Sequence, residues 1–534
     1  MGILTSRIHR PLLALCLGGV LLGSALLAGC RTTDQDLQRW ASSDQGPTKL
    51  VAVLLHDKYP VELRVQAAVA LVGMKPRPGQ QAGVDRMIDT LLRLPSGART
   101  QVITHLLPRL IEEIDKPPPS RADQPDPTLP FKDAAYALLT HEGEPFLGDA
   151  NTRAQVDAAL TRWATTGFAR RLDDTSQKYG VVQVMQHLGA PAVATLPSLI
   201  QPGASKIDPI TALIAELGDA PTRLAASQQL VAVARDLESQ RWLEGAVQSM
   251  TQGANALPQA RALEIALNQQ NQELAQVFGS MKRLGQRPCV DYLLAVAVDS
   301  ARPEQRRAAA LAALEKHLEP RRGPQLSLLY ALADDPKTPA LVRELALRRM
   351  ADLPRQEVVS DLYRLFDSKQ WKTRWLAAEM VLRMSEARQL PEFMDQLEPV
   401  RNLTKVEATR YGARIAELAA TGKGVFDVPR AMAKYAQSNQ PLAVRLTALG
   451  YYLANGSSAD ERGVARYASD ATPIPTCEAE DPDCAWQCSV EQNGKTEDKG
   501  LSTLGDFVHF CVLPALRSRS DKPAPTPDPK GPVQ

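Results

Sequence analysis

Hydrophobic and polar positions along this chain fall into distinct patterns. Pro11 to Leu27 is an apolar run without a charged side chain, preceded by Arg7 and Arg10. Beyond it, apolar residues recur at three- and four-residue spacing for most of the chain, the period of amphipathic helices. These helical stretches come in pairs. LLHDKYPVELRVQAAVALVGM (54 to 74) ends one helix, turns at Asp57 to Pro60, and continues as a second helix carrying Arg64, Ala67, Ala68 and Leu71. Related pairs recur at 297 to 318, 332 to 353, 365 to 384 and 435 to 454, and KVEATRYGARIAELAA (405 to 420) fits between the last two. No long run of alternating apolar and polar residues precedes residue 470. Near the carboxyl end, Asn493-Gly494 between WQCSVE and KTEDKG predicts a hairpin. Leu504, Phe507, Val508, Cys511 and Val512 then predict a helix.

The second helix of each pair carries an arginine: Arg64, Arg306, Arg343, Arg374, Arg410 and Arg445. From Arg306 onward the separations are 37, 31, 36 and 35 residues, the period of a helical-hairpin solenoid. An acid precedes several of them by seven or eight residues: Asp57, Asp299, Asp335 and Asp367. Across a turn this spacing lets the carboxylate cap exposed amides and meet the guanidinium of its own or a neighbouring repeat. Turn aspartate, proline near the helix start, arginine, then small Ala and large Leu: the pattern resembles the HEAT repeat family. That resemblance implies an all-α fold, an α-α superhelix whose surface binds other molecules. Tetratricopeptide repeats compete as a solenoid, but their Trp, Gly and Tyr spacing is absent.

Helical hairpins are expected over 30–115 and an α-solenoid over 131–470, with the HEAT-like signature clearest in 297–454. Between them KPPPSRADQPDPTLP (116–130) predicts a loop, since successive prolines lack amide donors and fix φ. A Cys-rich hairpin-plus-helix module is expected at 471–517. The tail 518–534 has no apolar periodicity and is expected to be disordered.

The apolar run ends in Leu27-Ala28-Gly29-Cys30, which resembles a bacterial lipobox. The resemblance implies a signal peptide at 1–29, Cys30 as the lipidated first residue, and anchoring in the cell envelope. Arg31 after the cysteine implies the outer membrane, facing periplasm or surface. An uncleaved helix is the alternative, because the run is nearly long enough to span a bilayer. Export implies oxidising conditions, so Cys477, Cys484, Cys488 and Cys511 are expected to form two disulfides, with Cys477–Cys484 and Cys488–Cys511 favoured among three connectivities. A zinc site from these four cysteines is the lesser reading, and Cys289 reads as a small buried residue.

Composition narrows the function classes. Lys and Arg number 62 against 60 acidic residues, so no charge balance argues for nucleic acid as a partner. The histidines are scattered singly. There is no HExxH, nucleophile elbow, phosphate-cradling loop or dinucleotide fingerprint, and no cofactor or catalytic residue is expected. The reading is a lipid-anchored scaffold or adaptor that binds an unidentified envelope protein through its solenoid surface and performs no chemistry. The alternatives are an enzyme or accessory resembling the HEAT-like phycobilisome lyases, and a structural spacer.

Overall fold

The computed structural model describes residues 32–74, 83–119, 121, 124–143, 145–252, 256–320, 323–421, 426–476, 484–492 and 495–520. Cys30, with the rest of the expected signal segment, and Cys477 lie outside them. Among the described residues no helix is long and apolar enough to cross a membrane.

The turns between paired helices end at a proline in four of the hairpins. Pro60, Pro303, Pro339 and Pro441 sit at helix N-caps with φ between −57° and −54°. Their rings fix that angle, and their missing amide hydrogen sacrifices no intrahelical bond there. The second helices that follow are Val61–Val72, Glu304–Ala313, Ala340–Met350 and Leu442–Asn455. Trp371–Arg383 and Lys405–Thr421 hold the same place with Gln370 and Thr404 ahead of them. Small residues on these helices are fully buried, among them Ala67, Ala68, Ala310, Ala346, Ala377, Ala378, Ala408 and Ala448. Each lets a neighbouring helix approach closely while large Leu, Met and Phe side chains fill the layer beside it.

The chain folds as two units. The first comprises Met1–Leu199 with Ala204–Thr222. In it Gly46–Leu55 pairs with Val61–Val72, and Gly83–Leu92 and Ser96–Ile114 follow. Next come Leu129–Thr140 and Ala150–Thr165, then short helices up to Ile207–Leu217. Those short elements, four to eleven residues long, are why the repeat signature blurs there. The Pro-rich loop ends earlier than expected: Leu129 already begins a helix, because Pro130 falls in its first turn, where proline is tolerated. The loop end is held by a buried cluster. Arg171 Nε donates to Asp126 Oδ2 at 3.0 Å, and Trp163 Nε1 donates to Thr128 Oγ1 at 2.9 Å.

The second unit comprises Ile200–Gly203 with Arg223–Gln534. Its second helices stack in series: Gln259–Leu284 on Glu304–Ala313, then Ala340–Met350, Trp371–Arg383, Lys405–Thr421 and Leu442–Asn455. Ala220–Leu237 and Gln240–Thr251 are separate helices, because the Ser239 hydroxyl accepts from the Trp242 amide at 3.2 Å and starts a new helix at Gln240. The fold is thus all-α, a HEAT-like α-α solenoid, with a small module closing it.

In that module β1 (Gln487–Gln492) pairs antiparallel with β2 (Lys495–Gly500), Gln492 opposite Lys495. Leu504, Phe507, Val508, Cys511 and Val512 are all buried, as their spacing predicts. Trp486 packs edge-on against Phe507 and donates its indole N–H to the Leu403 carbonyl at 3.2 Å. The closing helix Leu513–Ser520 runs three residues into the stretch expected to be disordered. Arg519 explains this, since it donates to the Tyr452 and Gly456 carbonyls, at 3.2 and 2.8 Å, and so caps the end of Leu442–Asn455.

Candidate functional site

The arginine series is built on helix register. Arg64, Arg343, Arg374 and Arg445 each occupy the fourth position of a second helix, counting from its N-cap. In Glu304–Ala313 that position belongs to Arg307, not to the expected Arg306. Arg64 Nε donates to the Leu54 carbonyl and Arg307 Nε to the Ala297 carbonyl, both at 2.9 Å. In each case the acceptor is the penultimate carbonyl of the first helix, ten residues back. A helix leaves its last carbonyls without intrahelical donors, so the buried guanidinium closes the hairpin by capping its first helix.

The expected pairing of these arginines with turn aspartates does not occur. Among the described residues none of Asp57–Arg64, Asp299–Arg306, Asp335–Arg343 or Asp367–Arg374 is an ion pair. Two of the aspartates serve the turn itself: Asp299 accepts from the Ala301 amide at 3.0 Å, and Asp335 from the Lys337 amide at 2.9 Å. A short carboxylate reaches the backbone two residues on more readily than it spans the turn. Asp299 pairs with Arg302 at 3.0 Å. Arg306 turns away from Asp299 to Gln270 Oε1 and Asn271 Oδ1, at 2.6 and 2.9 Å.

Two arginines link consecutive elements. Arg374 grips Glu407 with two bonds of 3.0 Å, its side chain 3% and its partner's 0% exposed. Glu407 also accepts from the Thr404 amide and hydroxyl, and from the Tyr411 hydroxyl at 3.2 Å. Burial, with this carboxylate beside it, pushes the Tyr411 phenol well above its ordinary value. Arg445 pairs with Asp470, and so ties the last solenoid helix to the segment leading into the module. Glu407 and Asp470 escaped the sequence reading because both lie outside the turn spacing it used. Glu407 does have a local signal, Thr404 three residues before it, the spacing of a capping box.

Arg343 and Arg410 behave differently. Both line a groove of about 400 Å³ across the first two turns of Ala340–Met350, Trp371–Arg383 and Lys405–Thr421. Between them lie Trp371, Trp375, Leu376 and Val406. Neither guanidinium makes an ion pair or hydrogen bond among the described residues. Burial lowers the Arg343 guanidinium while Asp335 opposes that. Glu344 at the groove edge is held by Arg348 at 2.6 Å. Lys372 rides over the Trp371 ring at 5.3 Å. The Trp375 indole N–H is shielded from water and has no partner among the described residues, which is unusual for a buried donor. The groove therefore sets two available cations around an aromatic floor, at the positive ends of three parallel helices.

The cysteines form a separate cluster. Cys488 and Cys511 are joined in a disulfide that ties the hairpin to the following helix, with Cα atoms 5.8 Å apart. Cys484 is also disulfide-bonded, which leaves no thiolate set for the zinc alternative. Cys289 is free and buried, and burial pushes its thiol up to about 11. Among the described residues no group of three or more His, Cys, Asp or Glu side chains is placed to hold a metal ion. Lys132 is the one fully buried lysine among them, with Asp133 at 2.6 Å and the Trp163 ring at 4.7 Å. Its partners satisfy it internally.

No family model and no curated protein matches the chain. Solved structures of helical solenoids do. The karyopherin Kap121p bound to the extreme C-terminus of the protein phosphatase Cdc14p is 13% identical over 84% of this chain and 45% of its own, with a TM-score of 0.31. Kap121p bound to the SUMO protease Ulp1p is 12% identical over the same shares, also with a TM-score of 0.31. A Kap95p complex with RanGDP is 13% identical over 83% of this chain and 59% of that one, with a TM-score of 0.25. The chain spans less than half the length of the Kap121p chains it is similar to.

Proposed function

We propose that this protein is a lipid-anchored HEAT-like scaffold or adaptor of the bacterial cell envelope, which holds a partner protein on its solenoid surface and performs no chemistry of its own. The observation that carries the reading is the groove beside Trp371 and Trp375. Its arginines and indole donor are not consumed by the fold, whereas the other arginines of the series are spent on caps and ion pairs. Groups left free across three consecutive repeats suit an extended ligand, and stacked repeats provide such surfaces by construction. The anchor rests on the stretch SALLAGCR (24 to 31), with Cys30 as the acylated residue. Two or more acyl chains hold a protein on a membrane stably where one does not. Disulfides at Cys484 and at Cys488–Cys511 suit an oxidising compartment.

Crosslinking in cells followed by affinity capture tests the adaptor: one partner should be retained in stoichiometric amount. Capture of no partner would reduce the protein to a spacer. Intact mass of the detergent-extracted protein tests the anchor. It should show an acylated chain beginning at Cys30, and C30S should release it; an unmodified amino end or a retained Met1 would remove the anchor from the proposal.

A further inference from the structure

The groove also specifies the chemistry of its occupant. We infer that it binds an extended acidic segment of a partner protein, with carboxylates at Arg343 and Arg410 and an apolar side chain seated between them on Trp371 and Trp375. This rests on the adaptor reading and sharpens it. Charge complementarity selects the segment's sign: Arg343 and Arg410 are uncommitted, and the nearest lining acid, Glu344, is neutralised by Arg348. The parallel helix ends beneath add positive potential. Geometry selects its form. The two arginines stand on helices separated by one other, Trp371–Arg383, in a stack whose neighbours pack about 8–10 Å apart. That sets the two helix axes roughly 16–20 Å apart, a span of about five or six residues of extended chain at ~3.3 Å each.

The floor explains why an apolar residue belongs between the acids. Trp371 and Trp375 lie four positions apart on one helix face, with Leu376 and Val406 beside them, and Leu341 next to the groove is 46% exposed. Trp375 contributes its ring to that floor, with its indole N–H shielded from water and without a partner among the described residues. A compact anion such as phosphate would satisfy one arginine and leave the aromatic floor unused.

The test uses the full chain in detergent and the probe fluorescein-Gly-Asp-Asp-Pro-Leu-Pro-Asp-Asp-amide, followed by anisotropy. The probe should bind, more weakly as salt rises. The same peptide with Asn for Asp should lose about tenfold or more in affinity, and so should the R343Q/R410Q variant. These side chains cap nothing, so the variant should keep the parent's melting temperature. W375F should weaken the probe less than the double variant does. Equal binding of the Asp and Asn peptides, or undiminished binding by R343Q/R410Q, would overturn the inference. So would phosphatidylglycerol vesicles binding through these arginines where the peptide does not. Crosslinking separates this failure from that of the adaptor reading: a partner captured equally by parent and R343Q/R410Q chains would leave the adaptor standing and the groove wrong.

Discussion

Gly412 and Gly450 meet backbone to backbone where Lys405–Thr421 crosses Leu442–Asn455. A Cβ at Gly412 would lie less than 3.0 Å from the Gly450 carbonyl carbon, and one at Gly450 equally close to the Ala408 carbonyl. Neither obstacle is a flexible side chain. Gly412→Ala and Gly450→Ala should each destabilise the second unit by about 1–3 kcal/mol or more, read as a lowered thermal midpoint. Either glycine generally costs a helix stability relative to alanine, so an unchanged or raised midpoint would show that the helices are not this close.

The Arg374–Glu407 pair should respond asymmetrically to substitution. Removing one partner strands a buried charge, and Glu407→Ala should cost about 3–5 kcal/mol. The double change Arg374→Met with Glu407→Leu leaves no charge behind and should recover much of that loss. Denaturant unfolding of the two variants makes the comparison, and equal losses would mean the pair is not the buried unit described.

Arg64 and Arg307 should contribute similarly, because they make the same bond. Arg64→Ala and Arg307→Ala each remove a charged donor to a buried carbonyl, worth about 1.5–3 kcal/mol. Hydrogen exchange at the ends of Gly46–Leu55 and Arg287–Val298 should quicken in the respective variants. Protection that stays unchanged would argue against the cap.

Acid should loosen the join between the solenoid and its closing segment. Burial by itself would raise the Asp470 carboxyl, but hydrogen bonds from Thr472 and Arg445, with the Arg445 charge, hold it below its ordinary 3.8. A depressed folded value contributes stability above the ordinary value and loses it as pH falls through the depressed one. The link is therefore complete at neutral pH and fails in acid, below about pH 4. Asp470→Asn should lower stability at neutral pH and flatten its dependence on pH in that acid range.

Reduction should act locally. Opening the Cys488–Cys511 bridge should destabilise the hairpin-plus-helix module by about 2–4 kcal/mol, while distant repeats, which contact only their neighbours, stay folded. Cys289 gives an internal control: its buried thiol, raised to about 11, should resist alkylation in the native protein and react only after denaturant is added.

What the sequence determined by itself is the local order: paired helices, prolines at their starts, an arginine per repeat, the hairpin at Asn493-Gly494 and the helix after it. These follow from periodicity and backbone chemistry, which act over a few residues. It also displayed the Cys30 motif, which lies outside the described residues. What only the tertiary structure decided is the partner of each arginine. Arg306 and Arg307 are adjacent in the chain, and only the rotation of Glu304–Ala313 against Arg287–Val298 selects the one that reaches the Ala297 carbonyl. The carboxylate for Arg374 comes from Glu407, 33 residues on, because stacking brings that helix alongside. Arg343 shares the fourth helix position with Arg374 and Arg445, yet the stack leaves it, with Arg410, facing a groove and buries the others. Periodicity specifies which face of a helix is apolar; which polar group stands opposite depends on the packing of a neighbour about one repeat away in the chain.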